Sequence, residues 1–152
     1  MGLDMYLSAK KHLGNWDFNP EEKKLNGKVR EALGLDHLDN DHASVEVCVG
    51  VGYWRKANQI HKWFVDNVQN GEDKCRPHYV PAEKLQKLLD TCKLALNNKD
   101  ATKLPPQSGF FFGNTEVDEW YWNDIDRTIS ILERCLNDKA LKGYEFEYQS
   151  SW

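Results

Sequence analysis

The segment from Tyr53 to Phe64 holds the densest set of side chains able to do chemistry. It reads Tyr-Trp-Arg-Lys-Ala-Asn-Gln-Ile-His-Lys-Trp-Phe. If the whole segment is a helix, Trp54, Asn58 and His61 share one flank of it. An indole, an amide and an imidazole in one stripe suit a planar, hydrogen-bonding ligand: the ring stacks and the amide reads an edge. Lys56 sits on the opposite flank and adds a positive charge. The same phase puts Tyr53, Ala57, Ile60, Phe64 and Val68 in the core and turns Arg55, Gln59, Lys62 and Asp66 to water. Plain structural roles compete with the ligand reading. Trp54 and His61 would then seal the core edge, and Asn58 would cap a neighbouring strand or loop. His61 as a general base lacks a carboxylate at helical spacing. A hydrolase built on it would draw one from the 116–126 region.

A second segment runs Gln107-Ser108-Gly109-Phe110-Phe111-Phe112-Gly113-Asn114. Glycines on both sides of three aromatics allow close backbone approach. Amides near Gly113 and the next helix start have the makings of an anion cradle. The competing reading is that Asn114 or Thr115 caps that helix. The tail offers Tyr148, Gln149 and Trp152, a phenol and an indole around hydrogen-bonding groups. The expected ligand site joins all three segments: Trp54, Lys56, Asn58, His61, Gln107, Ser108, Gly113, Asn114, Tyr148, Gln149 and Trp152.

Other chemistry is thinly represented. There is no GxSxG, Walker lysine or Rossmann glycine pattern, so the reading leans away from an enzyme and assigns no catalytic residue, cofactor or metal. His37 and His42 with Asp36, Asp39 and Asp41 match neither HExxH nor a calcium loop and read as a solvated loop. Four cysteines form no CxxC pair. Two of them, Cys92 and Cys135, fall on apolar helix faces and read as small core residues. The net charge of −4 lacks the basic excess of a duplex-nucleic-acid surface. With no signal peptide and no long apolar run, neither secretion nor a membrane is expected, and the cytoplasm is the default. Homo-oligomerisation is left open.

Regular elements must position these groups. Residues 3–9 alternate Leu3, Met5 and Leu7 against polar partners, which predicts a strand. Asn19-Pro20-Glu21-Glu22 is a helix start, and Gly34 ends that helix. Val45, Val47, Val49 and Val51 predict a strand over 44–51. Helices follow over about 53–70 and 81–97, the second burying Leu85, Leu88, Leu89, Cys92 and Leu96. Residues 110–112 read as a short buried strand. A last helix covers 117–137 with Tyr121, Ile125, Ile129, Leu132 and Leu136 inward and Trp120 off that face. Tyr144, Phe146 and Tyr148 predict a final strand. The sum is one α+β domain over 1–152: a small antiparallel sheet covered by about four helices in a single layer pair.

The opening Met-Gly-Leu-Asp-Met-Tyr-Leu, the central Tyr-Trp-Arg-Lys-Ala-Asn-x-Ile-His-Lys-Trp-Phe, the Gln-Ser-Gly-Phe-Phe-Phe-Gly run and the closing Tyr-Gln-Ser-Ser-Trp resemble a family of small proteins encoded by tailed bacteriophages and prophages. The resemblance implies an accessory viral protein acting in the host cytoplasm. It implies no reaction and carries no catalytic residues. By analogy with small phage accessory proteins, the expectation is a binder of a nucleotide-like ligand that sequesters a host immune signal. The alternatives are an inhibitor of a host defence protein, anchored by Trp120 or Trp152, and the small hydrolase.

Overall fold

A computed structural model describes residues 2–152. Among them, the sheet strands are β1 (Asp4–Leu13), β2 (Val45–Arg55), β3 (His78–Val80) and β4 (Glu145–Ser151). The helices are α1 (Pro20–Ala32), α2 (Asn58–Asn67), α3 (Ala82–Asn98) and α4 (Glu119–Asn137). The sheet is antiparallel, in the order β2-β1-β4-β3, so the fold is α+β as the alternations predict. No helix among the described residues is long and apolar enough to cross a membrane. The chain divides into two compact units, Lys10–Val49 and the remainder, Met1–Ala9 with Gly50–Trp152.

In the smaller unit, the predicted α1 start holds. The side-chain oxygen of Asn19 accepts from the Glu22 amide, Pro20 opens the helix, and Gly34 follows its end at φ +70°. The loop with His37 and His42, predicted as solvated, is tied down from inside this unit. Arg30, 8% exposed, donates to the carbonyls of Asp36 and Leu38 and to Asp39, whose carboxylate also takes a bond from Asn15. These bonds hold the Asp39 carboxyl below the usual carboxylate range.

In the larger unit, Leu3, Met5, Leu7 and Ala9 form the buried face of the sheet, with Phe146 and Tyr148 of β4. Against them lie Ala57, Ile60 and Phe64 near or on α2, Leu85, Leu88, Leu89 and Cys92 on α3, and Tyr121, Ile125, Ile131 and Leu132 on α4. Cys92 and Cys135 are buried as expected, and burial pushes their thiols up to about 12 and about 11.

Three sequence expectations are corrected. Residues 53–57 are not helical: β2 runs to Arg55, and α2 starts at Asn58. The β-branched and aromatic content of Val49-Gly-Val-Gly-Tyr-Trp favours extension, and the strand keeps it up to the turn at Lys56. Residues 110–112 form a turn, with Phe110 95% exposed and only Phe112 buried. The α4 cap is Asp118, which accepts from the Tyr121 amide at 3.0 Å; Asn114 instead closes its own turn onto the Glu116 amide.

Candidate functional site

The turn between β2 and α2 builds the site. Lys56 adopts φ +59°, a left-handed conformation that costs a non-glycine residue free energy. Its amide donates to the Leu3 carbonyl at 2.8 Å, which fixes the turn to β1. Beyond it, α2 begins with Asn58, whose side chain organises the 107–114 loop. Its amide nitrogen donates to the carbonyls of Phe112 at 3.0 Å and Asn114 at 2.8 Å, and its oxygen accepts from the Gln107 amide at 3.0 Å. The loop glycines explain how the backbone comes so close. A Cβ on Gly109 would lie 2.6 Å from the Phe112 ring, and Gly113, at φ +85°, packs its backbone on the Lys56 side chain.

A cleft of about 260 Å³ opens beside this turn. Its lining includes the cations Arg55 and Lys56, the carboxylates Glu116, Asp118 and Asp124, and Asn58, Gln59, Gly113, Asn114 and Trp120. Trp120 is 76% exposed, so its ring is offered to whatever enters. Burial pushes the Asp124 carboxyl up to about 6, against the opposing hydrogen bond from Gln59 and the Arg127 charge. Near neutral pH this group therefore accepts hydrogen bonds, and in mild acid it also donates.

His61 lies in a separate buried cluster. Its Nδ1 is 2.7 Å from the Tyr148 hydroxyl and its Nε2 is 2.9 Å from Asp73. The neutral tautomer that satisfies both carries its proton on Nε2, donates to Asp73 and accepts from Tyr148. Burial raises the Tyr148 phenol well above its ordinary value, so it stays a donor. The other Asp73 oxygen accepts from the Trp152 indole at 3.2 Å. Phe112 meets both His61 and Trp152 edge to face, at 5.1 and 6.1 Å between ring centres.

The three predicted segments thus meet, but not as one open pocket. Lys56, Asn58, Gly113 and Asn114 line the cleft. His61, Tyr148 and Trp152 gather around Asp73 and Phe112 instead. Trp54 belongs to neither: it is 1% exposed, and its indole donates to Thr128 at 2.8 Å inside the core. Gln107 contributes its backbone amide, while Ser108 and Gln149 are exposed outside the cleft lining. His61 has its carboxylate in Asp73, not in the 116–126 region, and both of its nitrogens are occupied.

The helical phase turns Gln59 to water, but the residue is 3% exposed and donates to the Tyr121 carbonyl at 3.3 Å. The helical phase misses it because α2 is covered on several sides: Asn58, Gln59, His61 and Trp63 are all buried along with Ile60, Phe64 and Val65. Its solvent-facing residues are Lys62 and Asp66, joined as an ion pair, and Asn67 at its end. Asp124 has no sequence signal beyond its place in an acidic stretch, since its raised pKa comes from tertiary burial.

No family model, curated protein or solved structure matches this chain.

Proposed function

We propose that the protein binds a small nucleotide-like ligand in the cleft beside the Lys56 turn. One observation carries this reading: the exposed Trp120 ring stands at the mouth of a cleft that holds the Gln59–Asp124 pair and has Arg55 and Lys56 along its side. A base would stack on Trp120, as bases do on exposed aromatics. Its polar edge would meet the amide and the carboxyl, which together offer donors and acceptors. Phosphates would lie toward the two cations. A cleft of about 260 Å³ admits the base and leaves the charged end at the rim. For a phage-encoded accessory protein, as the sequence resemblance implies, holding such a ligand would remove a host immune signal from circulation without any reaction.

Calorimetric titration with a panel of mono-, di- and cyclic nucleotides tests the proposal. At least one member should bind, and Trp120→Ala should weaken it by about 1–3 kcal/mol, the range for base–aromatic stacking. Arg55→Ala should weaken phosphorylated members and spare the nucleoside. A silent panel would turn the reading toward protein inhibition, for which the exposed Trp120 and Trp152, and Phe110 at 95% exposure, are available anchors.

A further inference from the structure

A second concavity, of about 630 Å³, lies between β2 and α4, away from the Lys56 turn. Its floor is Leu7, Val51 and Ile131, and its α4 rim is Arg127, Ser130 and Arg134. Three features give it a direction. First, β2 pairs with β1 on one side and has no strand on the other among the described residues, so Gly50–Tyr53 forms a sheet edge. Edges present unpaired backbone donors and acceptors to an incoming strand. Second, Gly50 leaves one end of the groove open along this edge. A Cβ on Gly50 would meet nothing within 4 Å, and at Gly52 the space is already filled by Ile131 and Leu7. Third, the arginines are the only charged residues in this lining among the described residues, on a chain whose net charge is −4.

The Val51 carbonyl shows what the edge requires. It takes a hydrogen bond from the Arg134 guanidinium at 3.0 Å, across from α4. A strand laid in the groove would supply that bond from its own backbone amide and free the guanidinium. Arg134 would then pair with an acidic side chain, and Arg127, whose charge also acts on Asp124, offers a second cation on the same rim. Main-chain pairing gives such additions their affinity, and pockets for alternate side chains give selectivity.

We infer that the groove between β2 and α4 binds an extended acidic peptide segment of a partner protein, added as a strand along Gly50–Tyr53, with its carboxylates on Arg127 and Arg134. The site shares no lining residue with the nucleotide cleft.

The probe is an end-blocked peptide, Thr-Glu-Val-Glu-Val-Glu-Thr, titrated into labelled protein and followed by amide resonances. The expected result is shifts confined to Gly50–Tyr53 and Arg127–Arg134, with slowed hydrogen exchange of the β2 amides. Arg127→Glu, at an exposed position, should weaken binding at least about tenfold, the loss of one charge-assisted bond. Gly50→Leu, which has room to fold, should fill the groove and weaken binding by at least as much. The same peptide with lysine for glutamate should not bind. If the acidic peptide leaves those amides unmoved, or the lysine peptide binds equally, the inference fails. It also fails if dodecanoate shifts these amides while the peptide does not, for the groove would then hold a small amphipathic anion.

Discussion

The Nε2 of His61 lies 2.9 Å from the Asp73 carboxylate, twelve residues along the chain and beyond the end of α2. No helical spacing relates the two, because the chain leaves α2 at Asn67 and comes back to place the carboxylate over the ring. With Tyr148 on Nδ1, the imidazole has no nitrogen left for a substrate. It serves instead as a buried connector between α2, β4 and the segment before β3.

That role predicts a stability cost without a change in binding. Tyr148→Phe keeps the ring stacked on Phe64 at 3.9 Å but strands Nδ1 of a fully buried imidazole. The loss should be about 1–3 kcal/mol, the cost of an unsatisfied buried polar group. Urea denaturation measures it. A loss under about 0.5 kcal/mol would show that the cluster carries no weight in the fold.

Within α2, burial ought to set the ordering of mutational costs. Ile60→Ala and Phe64→Ala remove side chains with no exposed surface and should cost about 2–5 kcal/mol. Gln59→Ala should cost about 1–2 kcal/mol, since it leaves the buried Tyr121 carbonyl without that donor. Arg55→Ala, at an exposed strand position, should stay within about 0.5 kcal/mol. Equal effects of Gln59→Ala and Arg55→Ala on the urea midpoint would place Gln59 in water after all.

Asp124 makes stability depend on pH in a defined direction. Its folded pKa, raised by burial to about 6 from an ordinary 3.8, means that the folded chain holds the proton more tightly than the unfolded one. The resulting stabilisation is full below pH 3.8 and is lost as pH rises through about 6. Between those limits Asp124→Asn should flatten the slope of unfolding free energy against pH. The difference should reach about 1 kcal/mol once solvent screening of this partly exposed group is allowed for. Parallel slopes in wild type and variant would assign the pH dependence to other groups.

Much of this fold was legible in the sequence, and the reasons are local. Alternation at Leu3-Met5-Leu7 and Tyr144-Phe146-Tyr148, and the cap at Asn19, act over a few residues and survive into the structure. The apolar spacing of residues 53–57 fits a helix as well as a strand, and only the turn at Lys56 decides between them. The candidate site was legible in part for the same reason. Asn58 and the 107–114 loop meet as the glycines suggest, while Trp54 left the site when its strand turned it inward to Thr128. Gln59 and Asp124 were out of reach, because their burial depends on which element covers α2.

The loop beside the cleft hangs on Asn58. One side chain ties three backbone groups of a loop that has no strand to hold it. The ordering entropy of residues 107–114 is thereby settled when the chain folds, not when a guest arrives. A ligand entering beside Gly113 and Asn114 meets a finished wall, so its association should be fast and nearly free of induced rearrangement, closer to lock-and-key than to closure of a lid.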